Sequence, residues 1–457
     1  MPRGAGVPDI SGRATLNAII VGGGPAGLGV LVAAARSDRL FDLLARGLVV
    51  LDRGPVLGSG EIGRYAINSD SFADSFLRGV DGGPLRDMVS LMRHPATQAL
   101  DAARGQPVPL RLAAAFLAQL ANGLRHLAAT AGWQPFLDGV DVTSAHAMPD
   151  GRWRVHARRL ADGHGFGLTT RLLVLATGAA PSIGGLHDQA VAGLPLLPTF
   201  RRTLMLASTL LTERGRRRVA RRLALVPRPR VAIVGGSHST LAVAKVLLDL
   251  SPSLAWSEQS ITILHRRALR ITYASPEDAL ADGVTAFGHD DICPRTGRVF
   301  PLAGFRAEAR TLLRQIWGLG DGAPERRIRL LPLTAQTQAV AAQTLHASDL
   351  VVAATGYRPR ALPLFDARGD RIALQSEGTG APPMVDGDSR VLDRAGRPVP
   401  GVLGIGLAAG FPLAGTFGER SFTGQANGLA LWHSDIGEAI AATLLRDAPA
   451  HAIACAP

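Results

Sequence analysis

The stretch "LNAIIVGGGPAGLGVLVAAA", residues 16–35, decides how this chain is read. It carries no charge and is as long as a membrane span. Glycines and a proline at its centre argue against a lipid-facing helix. They divide it into a strand, Leu16–Val21, a loop, and a helix from about Pro25. Gly22, Gly24 and Gly27 have the spacing G-x-G-x-x-G, with Pro25 and Ala26 in the first helical turn. The first glycine makes the tight turn, the second lets backbone approach a pyrophosphate, and the third lets helix and strand pack closely. The helix N-terminus offers unpaired N–H groups to phosphate. Pro25 fits there, because its missing donor would be unpaired anyway.

Moving outward, the next apolar strand, "LVVLD", ends in Asp52 and is followed by Arg53. A carboxylate at that place accepts the hydroxyls of an adenosine ribose. Gly22 and Asp52 lie 30 positions apart, more than the usual ~20, and "SDRLFDLLARG" reads as a lengthened helix end and loop.

A second unit follows at residues 230–250, "RVAIVGGSHSTLAVAKVLLDL". Strand Val231–Val234 runs into Gly235, Gly236 and Ser237, with Thr240 where a third glycine would stand. The strand after it, "ITILHRR", ends in Arg266 and Arg267. Guanidinium groups bind a 2′-phosphate through paired hydrogen bonds, so this unit is expected to take NADPH rather than NADH. The other reading makes both arginines ordinary surface charges of an arginine-rich chain.

Two further strands end alike. "LLVLATGAAPS" (172–182) contains Thr177 and Gly178; "SDLVVAATGYRP" (348–359) contains Thr355, Gly356 and Tyr357. Short apolar runs suit strands buried on both faces of a parallel sheet. Small residues at their ends allow sharp turns and close neighbours. Near the C-terminus a glycine-rich loop leads to a helix expected to start near Phe422 to Gln425 and to run past Ile440. Thr423 and Gly424 at its start are either flavin contacts or a plain helix start.

With 457 residues, two domains are expected. The net charge of +12 suggests nucleic acid, but Lys245 is the only lysine and no nucleic-acid fold signature is present. The excess reflects an arginine-rich composition. The densest cluster, "RGRRRVARR" (214–222), reads as a solvated helix face or as a docking surface for an acidic carrier protein or anionic cofactor. Cys293 and Cys455 stand far apart without CxxC, which suits a reducing cytoplasm and speaks against a dithiol centre. His94, His126, His238 and His265 lack metal-ligand spacing, so no metal is expected. "AINSDSF" (66–72) reads as a surface loop rather than a flavin contact.

Taken together, the chain resembles the class B flavoprotein monooxygenases, in particular the N-hydroxylating branch acting on ornithine, lysine and related amines. "GGGPAGLGVL" resembles its first glycine motif and "VGGSHST" its pyridine-nucleotide motif. "DLVVAATGY" resembles D-x-x-x-[LF]-A-T-G-Y, with Ala353 in place of Leu or Phe, and the helix after "GERSFTGQANG" sits where that family closes over flavin. The likeness runs from about residue 16 to 445. No F-x-G-x-x-x-H stretch is present, which speaks against Baeyer–Villiger enzymes.

The resemblance implies an α/β protein with two Rossmann-like dinucleotide-binding domains of three-layer ββα type. An NADPH domain, 186–345, would be inserted between the two parts of a FAD domain, 14–185 and 346–445. It implies a soluble cytoplasmic monooxygenase of secondary metabolism that uses FAD, NADPH and O2. A flavin C4a-hydroperoxide would hydroxylate the nitrogen of a small amine or amino acid. The alternatives are a FAD-dependent NAD(P)H oxidoreductase without oxygen insertion and a binding protein. The segment 288–305, "GHDDICPRTGRVFPLAGF", falls where that branch contacts substrate and does not read like it.

Overall fold

The structure, a computed structural model, describes residues 15–181, 183–250, 254–320, 322–377, 383–407, 409–410, 418–422 and 428–446. In chain order, β1 (Leu16–Val21) and β2 (Leu48–Asp52) come first. β3 (Asn68–Phe72) and β4 (Pro107–Pro109) form a separate antiparallel pair. β5 (Phe136–Asp138), β6 (Val140–Ala147), β7 (Trp153–Arg159), β8 (Gly165–Leu175) and β9 (Ala179–Ala180) complete the first part. A small hairpin, β10 (Ala190–Val191) and β11 (Leu194–Pro195), leads to β12 (Leu204–Leu206), β13 (Val231–Val234), β14 (Ile261–His265), β15 (Ile328–Pro332) and β16 (Leu350–Ala353). The last part holds β17 (Arg358–Pro359), β18 (Leu364–Phe365), β19 (Arg371–Ile372), β20 (Arg390–Leu392) and β21 (Pro398–Gly404).

These strands build two main sheets. The larger runs β19-β18-β6-β7-β8-β1-β2-β5, with β21 also paired to β8. β8 is long enough to serve both halves. Its start pairs antiparallel with β7, and its end lies parallel to β1 on one side and to β21 on the other. Alternation along β1 sets the layers. Ala18 and Ile20 pack with the helices Pro25–Arg36, Leu110–Thr130 and Asp435–Arg446, whereas Ile19 and Val21 pack with the antiparallel β6–β7 layer and its neighbours. This is the expected ββα arrangement.

The smaller sheet is wholly parallel, in the order β12-β16-β13-β14-β15. Val231 and Ile233 face the helices His238–Asp249 and Ala307–Trp317; Ala232 and Val234 face Leu196–Phe200 and Gln338–His346. Here helices cover both faces, so the second unit departs from ββα layering. A parallel sheet buried on both sides reads as continuous apolar runs, as "VAIV" and "LVVA" do.

One expected boundary moves. The expected boundary at residue 346 puts "DLVVAATGY" in the second FAD segment. Its strand, β16, lies instead between β12 and β13 in the small sheet. The pattern could not decide this, because a buried parallel strand looks the same in either sheet. The chain next meets the large sheet at β18, where Leu364 and Phe365 pair with Ala145 and His146. The two crossings run side by side: β9, after the first ATG, pairs antiparallel with β17, after the second.

The expected start of the C-terminal helix falls almost wholly outside what the structure describes. Residues 423–427, with Thr423 and Gly424, lie outside the described residues. Beyond them come Leu429–Trp432 and, after His433 and Ser434, Asp435–Arg446. Among the described residues no helix is long and apolar enough to cross a membrane.

Candidate functional site

The two glycine units match hydrogen bond for hydrogen bond. The Gly22 N–H donates to the Leu51 carbonyl at 2.8 Å, and the Gly235 N–H to the Leu264 carbonyl at 2.9 Å. The Ala176 N–H donates to the Val21 carbonyl at 2.9 Å, and the Ala354 N–H to the Val234 carbonyl at 2.8 Å. A Cβ on Gly22 would lie 2.3 Å from the Ala176 oxygen, and one on Gly235 would lie 2.4 Å from the Ala354 oxygen. Gly22 and Gly235 have φ of +108° and +147°, and the ATG glycines Gly178 and Gly356 have +69° and +95°. Each ATG strand thus presses its Ala carbonyl onto the first glycine of a nucleotide loop, then turns away through a left-handed glycine. That is why one chain uses Ala-Thr-Gly twice.

The first unit is open where a ligand would approach. A Cβ on Gly27 would lie 1.8 Å from the Gly22 oxygen, so this glycine serves helix–strand packing. A Cβ on Gly24 would meet only Gly60, its Cα at 3.6 Å and its nitrogen at 4.0 Å, so the bare glycine keeps room in front of the helix N-terminus. Asp52 accepts from the Gly23 N–H (2.5 Å) and the Gly54 N–H (2.6 Å), and its oxygens keep lone pairs for further donors. Burial nonetheless pushes its carboxyl above the ordinary range, against those two N–H groups.

In the second unit the residue equivalent to Asp52 is His265, since Leu264 matches Leu51. A Cβ on Gly236 would lie 3.4 Å from His265 Cβ, as one on Gly23 would lie 3.2 Å from Asp52 Cβ. Arg266 and Arg267 follow, both exposed. The Ser237 N–H donates to Thr240 Oγ1 at 3.4 Å, which closes the start of the helix His238–Asp249.

A cavity of about 1420 Å³ opens between the two sheets. It exceeds the ~300–1,000 Å³ typical of one small-molecule pocket. Of the sequence-predicted residues, Gly22, Gly24, Pro25, Ala26, Asp52, Arg53, Thr177, Gly178 and Tyr357 line it. Gly27, Gly235, Gly236, Ser237, Thr240, Arg266, Arg267, Thr355 and Gly356 do not; the second loop reaches it through His238 and Ser239.

The sequence reading missed much of the wall. Asn68, Ser69, Asp70 and Ser71 of "AINSDSF" line the cavity rather than forming a plain surface loop. Asn68 Nδ2 donates to Glu308 Oε1 (2.9 Å), and Arg306 Nη2 donates to Asp70 Oδ2 (3.3 Å), which ties β3 to the helix Ala307–Trp317. The Tyr65 and Tyr357 hydroxyls lie 3.1 Å apart. Burial, then the hydrogen bond with Tyr65, pushes the Tyr357 phenol above its ordinary range. Segment 288–305 does supply wall, through Cys293, Arg295, Thr296, Arg298, Pro301 and Leu302. Only a fold-level placement of that segment pointed there.

The arginine cluster 214–222 is not one free face. Arg217 pairs with Glu213 (2.9 Å), Arg222 donates to the carbonyls of Arg202 and Asp349, and Arg216 lines the cavity.

No protein-family model matches the chain. It is 27% identical over 455 residues to the CMP-5′-(3-aminopropyl)phosphonate hydroxylase of Streptomyces rubellomurinus, covering 93% of this chain and 97% of that protein. The reduced ornithine hydroxylase of Pseudomonas aeruginosa is similar in structure, with a TM-score of 0.53 at 18% identity over 95% of this chain and 99% of that one. The ornithine N-hydroxylase of Kutzneria sp. 744, solved with reduced FAD, NADP⁺ and L-ornithine, also gives 0.53, at 16% identity over the same shares. These likenesses show the fold to be the two-domain α/β fold of such monooxygenases.

Proposed function

We propose that this protein is a FAD- and NADPH-dependent monooxygenase that hydroxylates an amine nitrogen, RNH2 + O2 + NADPH + H⁺ giving RNHOH + NADP⁺ + H2O. One observation carries the reading: of two matched glycine loops, one followed by a carboxylate and the other by guanidinium groups, the first lines a large cavity through Gly22, Gly24 and Asp52, and the second reaches the same cavity through His238 and Ser239. The hydroxylase from Streptomyces, which aligns with nearly the whole chain, supports it.

The residues fit both cofactors. Gly24 leaves open space before an uncapped helix N-terminus, where the FAD pyrophosphate would meet bare N–H groups. Asp52 would accept the ribose hydroxyls. Thr177, Gly178 and Tyr357, at the crossings, would border the flavin. Gly235, Gly236 and Ser237 would take the NADPH pyrophosphate, and Arg266 and Arg267 its 2′-phosphate. The chemistry that bound flavin supplies is two-electron uptake from NADPH and activation of O2. The protein orients the amine and keeps water out, a task for the apolar wall that includes Ile67, Phe76 and Leu117. The NADPH unit would span about residues 185–354, with the FAD unit on either side.

The test is product analysis. NADPH-reduced holoprotein, given O2 and a panel of amines, should yield a hydroxylamine by mass spectrometry. Stoichiometric peroxide with every amine would overturn oxygen insertion and leave an oxidase or reductase.

A further inference from the structure

Resting on the amine-hydroxylase reading, we infer that the substrate carries its amine on a polyanionic handle of nucleotide-phosphoester type, seated against Arg78, Arg111 and Arg298.

The charge pattern of the cavity wall carries this. Its carboxylates are already engaged. Glu61 bonds Arg360 (2.9 Å), Asp70 bonds Arg306 (3.3 Å), Glu213 bonds Arg217 (2.9 Å), Asp249 bonds Lys245 (2.8 Å), and Asp435 lies 3.6 Å from Arg295. Asp141 faces Arg158 at 3.5 Å, Glu308 accepts from Asn68, and Asp52 accepts from Gly23 and Gly54. Among the described residues, five arginines of the same wall have no carboxylate in ion-pair range: Arg53, Arg78, Arg111, Arg216 and Arg298. Arg53 adjoins Asp52 at the adenosine end, and Arg216 stands on the nicotinamide side. The other three belong to neither nucleotide loop.

Their positions fit a handle held at the mouth. All three are exposed, so they rim the cavity rather than fill it. Arg78 follows the helix Ala73–Leu77, and its charge reaches the buried His433. The loop bearing Arg298 reaches Asp435, two residues further on, through Arg295, so Arg78 and this loop flank one turn of the chain. Arg111 lies in the first turn of the helix Leu110–Thr130, beside β4, which pairs with β3 at Asn68. A lone amino-acid carboxylate needs one cation. Three guanidinium groups left over after both cofactors suit two or more negative charges. The Streptomyces hydroxylase, by its name, acts on an aminopropyl group joined through phosphonate to CMP, an independent pointer to that chemistry.

The experiment compares CMP-5′-(3-aminopropyl)phosphonate, 3-aminopropylphosphonate and cadaverine on the holoenzyme, with Arg78→Gln, Arg298→Gln and the double variant. Flavin absorbance and the melting temperature check each variant's fold. Wild type should prefer the CMP compound. Each variant should raise its KM about 10-fold at similar kcat, the double about 100-fold, with the ratio of kcat/KM for CMP compound to cadaverine falling in step. Arg78→Lys should restore part of the loss. Calorimetric titration with the CMP compound separates the two claims. Tight binding that the double variant loses upholds the handle even where no amine is hydroxylated. Cadaverine hydroxylated in preference, with the CMP compound bound weakly or equally by all variants, overturns the handle and leaves the hydroxylase reading standing.

Discussion

His433 offers a sharp test of the packing behind the cavity, because its neighbours Trp432 and Ser434 line that cavity while its own side chain is 0% exposed. Both ring nitrogens lack a hydrogen-bond partner among the described residues, and the Arg36 guanidinium donates to its backbone carbonyl at 2.7 Å. Burial, then the charges of Arg36 and Arg78, pulls the imidazole down to about 3. In the unfolded chain it titrates near ~6.5. The folded state therefore requires the neutral ring. Its stability is fully present above pH 6.5 and is lost as pH falls from there toward 3, by about 1.4 kcal/mol per unit. At pH 5 the loss from this one group is about 2 kcal/mol. His433→Leu removes both the titration and two orphaned nitrogens, so it should also gain about 1–3 kcal/mol at pH 7.5. Urea unfolding of both proteins at pH 7.5 and pH 5.0 reads the difference, and comparing the two pH effects cancels every other titrating group. An equal loss of stability in wild type and variant would show that the ring is hydrated or paired, and would refute the burial argument.

Other expectations follow from the two loops. Gly22→Ala should cost more than about 2 kcal/mol and abolish the yellow holoprotein, since its Cβ would press on the Ala176 oxygen at a φ of +108°. Gly24→Ala, whose Cβ would meet Gly60 at an ordinary van der Waals distance, should fold normally by circular dichroism yet bind FAD at least about 10-fold more weakly; normal FAD affinity would remove Gly24 from the cofactor site. Arg266→Ser with Arg267→Ser should raise the KM for NADPH about 100-fold and leave that for NADH nearly unchanged. A parallel rise for both coenzymes would mean that the pair does not read the 2′-phosphate. Tyr65→Phe removes one hydroxyl from a partly buried pair and should lower the unfolding free energy by about 0.5–1.5 kcal/mol in urea titrations; no change would mean that water already satisfies Tyr357.

The sequence disclosed what depends on local chemistry. The glycine spacing, the acid that ends β2 and the short buried strands all follow from sterics and period, so the two units were legible. Long-range placement was not. "LVVA" has the same burial pattern in either sheet, and only its pairing with β12 and β13 assigns it. "AINSDSF" looks polar enough for solvent. It becomes wall because Asn68 and Asp70 find Glu308 and Arg306 more than two hundred positions away. The sequence pattern ends the second unit's strand in Arg266 and Arg267, and strand register makes His265 the counterpart of Asp52.

That register has a chemical consequence. The two loops share the same backbone turn, and they differ at the helix end, bare behind Gly24 and closed by Ser237 and Thr240 in the second unit. Discrimination must then come from the side chain at the end of the second strand. A carboxylate with spare lone pairs accepts ribose hydroxyls and repels a 2′-phosphate; an imidazole followed by two exposed arginines does the reverse. Assigning the loops to different cofactors thus needs no difference in fold, only Asp52 on one side and His265, Arg266 and Arg267 on the other. The paired crossings β9 and β17 bring these otherwise equivalent units to one cavity. Tyr357, which lies on the second crossing, lines that cavity and bonds Tyr65, so the residues joining the domains also border the space where an electron donor and its acceptor would meet.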